Sequence, residues 1–105
     1  MKKLLAAVLF LPAIASAEFL DGNKLLSYMR SADIAEKMYA LGYVAGVADA
    51  QMSVVSCPPE NVTNGQLRDM VKGFLEGYPA HRHRTADTII GELMKTAWPC
   101  RRNTL

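Results

Sequence analysis

The side chains able to do chemistry are few: a polar run at His81-Arg82-His83-Arg84 and two widely separated cysteines, Cys57 and Cys100. A histidine pair offers metal ligation or general-base catalysis. Here the interleaved arginines raise the cost of holding a cation, and no thiolate or carboxylate adjoins them. Asp87 lies within a helical turn of His83 and would orient it as a base, yet no nucleophile or oxyanion loop accompanies the pair. The chain also lacks a Gly-rich phosphate loop, a recognisable paired-carboxylate spacing and a Ser-His-Asp arrangement. It is therefore expected to have no catalytic residue, no metal ligand and no cofactor, and not to be an enzyme. His81, Arg82, His83 and Arg84 suit solvated surface, or a contact patch for an acidic groove on a partner.

The cysteines are interpreted through the N-terminus. Lys2 and Lys3 precede an apolar run from Leu4 to Leu11, then Pro12 and the small residues Ala15-Ser16-Ala17. This is the layout of a cleavable secretory signal over residues 1–17, cut before Glu18. The apolar stretch falls short of the ~20 residues that span a bilayer, and no cysteine follows it to carry a lipid, so no membrane association is expected after cleavage. The signal also carries the charge excess: 12 basic against 10 acidic residues become balanced once Lys2 and Lys3 leave. Such a chain has no basic stripe for a phosphate backbone, which argues against nucleic acid. Bacterial export places residues 18–105 in an oxidising periplasm, where Cys57 and Cys100 pair. Closing that loop contributes about 4 kcal/mol on the chain-entropy estimate. A nucleophilic cysteine would leave the other one idle.

One small domain must position these groups, and its apolar residues, half of the total, recur with helical spacing. Leu25, Leu26 and Met29 share one face of a first helix that starts near Asp21-Gly22-Asn23. Asp33 and Glu36 resemble a capping pair for a longer second helix, with Ile34, Met38, Leu41, Ala45, Ala48 and Met52 as its apolar stripe. Cys57-Pro58-Pro59 should end it near Ser56, because proline lacks a donor and pushes its predecessor out of the helical region. Thr63 and Gln66 form a capping box for a third helix carrying Leu67, Met70, Val71, Phe74, Leu75 and Tyr78. A glycosylation sequon at Asn61-Val62-Thr63 is accidental in an exported bacterial chain. Gly77 and Pro79 close the third helix, and a last one holds Ile89, Ile90, Leu93, Met94, Ala97 and Trp98 up to Pro99. The expected fold is all-α: a small disulfide-stapled bundle of about four helices, its bond tying the end of the second helix to the end of the last.

Gly42 and Gly46 inside the second helix each cost about 1 kcal/mol relative to alanine, so close approach by another helix or an aromatic ring should compensate. Asp49 follows, either solvated or buried and hydrogen-bonded to an amide or tyrosine.

The run Gly42-Tyr43-Val44-Ala45-Gly46-Val47-Ala48-Asp49, then Cys57-Pro58-Pro59, Gln66-Leu67, Tyr78-Pro79 and Trp98-Pro99-Cys100, resembles the Rap/Tai family of periplasmic immunity proteins. The resemblance covers nearly all of the exported chain. It implies an all-helical fold with a disulfide, homodimers, and a partner, a peptidoglycan amidase delivered into the periplasm by type VI secretion, which the immunity protein binds and blocks. Gly42, Tyr43, Gly46, Asp49, Cys57, Pro99 and Cys100 match fold-determining positions. Relatives place a further cysteine pair near Met29 and Ala40, so here the first helix should dock through Leu25, Leu26 and Met29 alone.

Inhibition would be steric, with the polar loop from Ser56 to Val62, notably Pro59, Glu60 and Asn61, and the segment from His81 to Arg84 as contact candidates. An acid-stress chaperone is the alternative, since small helical disulfide-bonded proteins can open as their carboxylates protonate.

Overall fold

The computed structural model describes residues 19–101. The secretory signal expected over residues 1–17 lies outside the described residues. Among the described residues the helices are α1 (Gly22–Met29), α2 (Ile34–Gln51), α3 (Asn64–Gly77) and α4 (Ala86–Ala97), with a 3-10 turn at Pro79–His81. The all-α bundle and its disulfide are as the sequence predicts.

Each helix start has a local cause. Asp21 opens α1 by accepting the Lys24 amide at 2.8 Å, and Asp33 opens α2 by accepting that of Ala35 at 2.9 Å. The expected reciprocal bond from Glu36 does not form, because Ser31 Oγ takes the Asp33 amide at 3.0 Å. At α3 the box closes as predicted: Gln66 N donates to Thr63 Oγ1 at 3.1 Å and Thr63 N to Gln66 Oε1 at 2.8 Å. Such a cap is worth about 1 kcal/mol.

The core draws one stripe from each helix: Leu25, Leu26 and Met29; Ala40, Val44 and Ala48; Leu67, Val71 and Leu75; Ala86, Ile89, Ile90 and Met94. Full burial of each larger side chain contributes about 1.5–3 kcal/mol. The stripe expected on α2 is corrected. Ile34 and Met38 are 68% and 58% exposed, and Met52 lies beyond the helix and is 46% exposed. α2 packs against α1, α3 and α4, and its small buried residues let those helices approach it closely. Larger apolar residues are left outside.

α2 also stops before the prolines. Met52 turns extended, Ser53 takes a left-handed φ of 67°, and the Gln51 carbonyl accepts the amides of Val54 and Val55 at 3.1 and 2.8 Å. This turn, rather than Cys57-Pro58-Pro59, ends the helix, and it seals Ser56 inside. The bond between Cys57 and Cys100 therefore links the α2–α3 loop to the segment after α4, not the two helix ends themselves. Beside it, Cys57 N donates to Trp98 O at 2.8 Å.

At the opposite end of α3 and α4, backbone hydrogen bonds do the corresponding work. Gly22 N donates to Arg84 O and Asn23 N to Arg82 O, both at 3.0 Å, while Ala86 N donates to Leu20 O at 2.8 Å. The first helix is thus held by more than Leu25, Leu26 and Met29. A Cβ on Gly22 would stand 2.8 Å from the Arg82 carbonyl oxygen and 2.9 Å from Leu75 Cδ2, so only glycine permits this approach.

Candidate partner-docking surface

The disulfide end carries an open cleft of about 320 Å³. The last turn of α2 contributes Ala48 and Asp49 and the following turn Met52. The loop contributes Pro58, Pro59, Glu60 and Val62, α3 contributes Asn64 and Leu67, and α4 contributes Met94. Local chemistry explains why this loop can stand proud of the core. Cys57 is anchored by the disulfide and by its bond to Trp98, two prolines restrict the backbone that follows, and the Thr63 box fixes where the chain re-enters a helix. Pro59, Glu60 and Asn61 are all exposed. Pro59 and Glu60 line the cleft together with Asp49 and Met52, whereas Asn61 lies outside its lining.

The other candidate segment sits at the far end of α3, about 20 Å away given the helical rise over its length. The two segments do not form one patch. His81 and His83 are exposed; His81 packs its ring near Phe74 and Tyr78, at centroid distances of 5.9 and 6.2 Å. Arg82 and Arg84 are half-buried, and both are engaged within the chain, Arg82 inward and Arg84 along the surface. Arg82 Nε donates to the Leu75 carbonyl at 2.6 Å, closing the C-terminal end of α3. Arg84 reaches Glu92 at 2.6 Å, and that hydrogen bond holds the Glu92 carboxyl below its ordinary range while raising the guanidinium. Both groups face solvent, so the pair adds little stability. The segment is thereby a structural clasp for α1, and His81 and His83 are its accessible side chains. No hydrogen bond joins His83 to Asp87 among the described residues. Nor, among them, does any group of three or more His, Cys, Asp or Glu side chains stand together to hold a metal ion.

The motif residues of α2 separate into two kinds. Gly42 and Gly46 are exposed and nothing lies within 4 Å of a Cβ placed on either. This corrects the expectation of a close approach within the chain. The tight crossing is at Gly91 of α4, where a Cβ would meet Gln51 Oε1 at 2.7 Å. Tyr43 is half-buried and packs on the core; burial raises its phenol above the ordinary value, with the Asp87 carboxylate adding to it. Asp49, left open by the sequence, is exposed on the cleft rim. Pro99 is exposed and precedes the disulfide-bonded Cys100.

Met52 is the lining residue that sequence reasoning misplaced, counting it as core. The available signal was Ser53-Val54-Val55-Ser56: a β-branched pair between serines is a poor helix continuation.

The profile of the family described as Rap1a immunity proteins matches residues 21–100, from the cap of α1 to the second half-cystine. The chain belongs to this family. No curated protein matches the sequence. Membership in the Rap1a immunity family supports an immunity role, in which a toxin is the partner, and such proteins are in general not enzymes. The disulfide is consistent with an oxidising compartment. Among the described residues no helix is long and apolar enough to cross a membrane.

Proposed function

We propose that this Rap1a-family chain is exported by its N-terminal signal, residues 1–17, and that the domain of residues 18–105 works in the periplasm. There it binds a peptidoglycan amidase delivered by type VI secretion and blocks the amidase cleft sterically. The observation that carries this reading is the loop from Pro58 to Val62, exposed at Pro59, Glu60 and Asn61 and held by the disulfide on one side and the α3 cap on the other. A loop ordered before binding loses little entropy when it docks, which favours a tight inhibitor. The disulfide-end loop is the contact surface, and the segment from His81 to Arg84 contributes through its two histidines at most. The protein acts as a homodimer. Ile34 and Met38, both exposed on the ridge of α2 that also carries Gly42 and Gly46, support self-association along that helix.

Titrating the oxidised, signal-free protein into peptidoglycan digests by type VI amidase effectors tests the reading. The expected result is a stoichiometric end-point for one of them, together with a periplasmic product whose first residue is Glu18. A protein that stays in the cytosol with its leader attached, or that inhibits no amidase, overturns it.

A further inference from the structure

The cleft at the disulfide end has a chemical bias that the immunity role alone does not specify. Its floor and walls are apolar, from Ala48, Met52, Pro58, Val62, Leu67 and Met94, and its formal charges are the carboxylates of Asp49 and Glu60. No lysine or arginine lines it. Both acids are exposed on its rim and neither forms an ion pair among the described residues. The backbone does not offset this charge. The N-terminal end of α3 borders the cleft with a partial positive charge of about half a unit, while the last turns of α2 and α4 border it with partial negative charges of the same size, so the helix ends add no net positive charge.

Cations elsewhere on the molecule are placed differently: Lys37, Arg68 and Lys72 border a separate cleft beside Met29, and Arg84 is bonded to Glu92. Met52, adaptable in shape and 46% exposed, lines the cleft together with the two acids.

We infer that this cleft receives a segment of a partner protein that presents lysine or arginine beside a bulky apolar side chain. The cation sits between Asp49 and Glu60, and the apolar group lies over Met52 and Val62. Charge complementarity of this kind fixes register and rejects acidic competitors. The inference rests on the proposed immunity reading only for the partner being a toxin; the chemistry of the cleft is independent of it.

The test uses the isotope-labelled, oxidised protein and three short peptides of equal length and leucine content, carrying lysine, serine or glutamate at their polar positions. The lysine peptide should shift the amide resonances of Asp49, Met52, Glu60 and Val62, and the glutamate peptide should not. Asp49→Asn combined with Glu60→Gln should weaken binding of the lysine peptide by about tenfold. Glu36→Gln combined with Asp69→Asn removes the same charge from other exposed sites and should leave binding unchanged. Equal losses in the two double variants, shifts spread evenly over the surface, or equal binding of the serine peptide would each overturn the inference. So would shifts of the same residues with protein concentration alone, because a second copy would then be the occupant. If the lysine peptide binds the cleft while no amidase is inhibited, the cleft chemistry stands and the immunity reading falls.

Discussion

The two ends of this bundle are closed by different means, and they are suited to different work. At one end a covalent bond joins the α2–α3 loop to the chain after α4. At the other, three backbone hydrogen bonds and a close-packed glycine join the start of α1 to the segment between α3 and α4. The covalent closure does not depend on burying the loop it anchors. Pro58 to Val62 can therefore stay largely open, with Met52 and Val54 exposed nearby. Hydrogen bonds hold only where geometry is kept and water is limited, so the second closure draws the Arg82 side chain inward onto the Leu75 carbonyl and covers Gly22. A staple leaves surface free for a partner, and a clasp consumes it.

Removing the staple should have the largest effect. Replacing Cys57 and Cys100 with serine returns loop entropy to the unfolded chain and should cost about 4 kcal/mol, measured by urea unfolding. The amides of Gly22, Asn23 and Ala86 should stay protected from hydrogen exchange in the folded fraction, while binding at the cleft is lost. If those three amides lose protection together with the loop, the two closures are one cooperative unit and the comparison fails.

The converse change is Gly22→Ala. Its new methyl would meet a backbone oxygen that cannot step aside, and overpacking of this kind costs about 2 kcal/mol. Exchange should now rise at the clasp amides, with binding at the cleft retained in the folded protein. Arg82→Ala should follow with a loss of about 1.5 kcal/mol, because it removes a charge-assisted donor from the Leu75 carbonyl. That loss also means a weakened partner affinity in Arg82→Ala is not evidence of contact; His81→Ala and His83→Ala, which change exposed side chains, are the informative variants. Affinity unchanged in both would confine docking to the disulfide end.

The difference between the ends was only half legible in the sequence. Cys57 and Cys100 announced the staple, and Thr63 with Gln66 announced the helix that leads away from it, because such signals depend on residue type and short spacing. The clasp has no such signature. It is built from main-chain groups of Gly22, Asn23, Arg82 and Arg84, and main-chain groups are the same for every residue. The segment from His81 to Arg84 consequently looked like free surface, when Arg82 is bonded inward to the Leu75 carbonyl and Arg84 is held by Glu92. The buried face of α2 was hidden for a related reason. Its apolar residues surround the helix, and the choice of Ala40, Val44 and Ala48 over Ile34 and Met38 follows from three neighbouring helices needing small contacts. The proposed contact residues are the least legible part, since Asp49 and Glu60 are brought to one cleft by tertiary packing alone.

Gly42 and Gly46 give the smallest expected effect and the cleanest control, because they lie on α2 away from both closures. Each sits in a helix interior with open space where a Cβ would go. Alanine there loses less chain entropy on folding and adds no clash, so each substitution should stabilise the monomer by about 0.5–1 kcal/mol. Neither clasp exchange nor cleft binding should change. The sign is tied to dilution. At concentrations where light scattering shows a monomer, Gly42→Ala with Gly46→Ala should raise the urea midpoint. At concentrations where the chain self-associates, the same methyl groups should weaken the dimer if α2 packs on its copy along that ridge. A destabilised monomer would mean that the two glycines answer to a contact within the chain after all, while a dimer of undiminished strength would place self-association on another face.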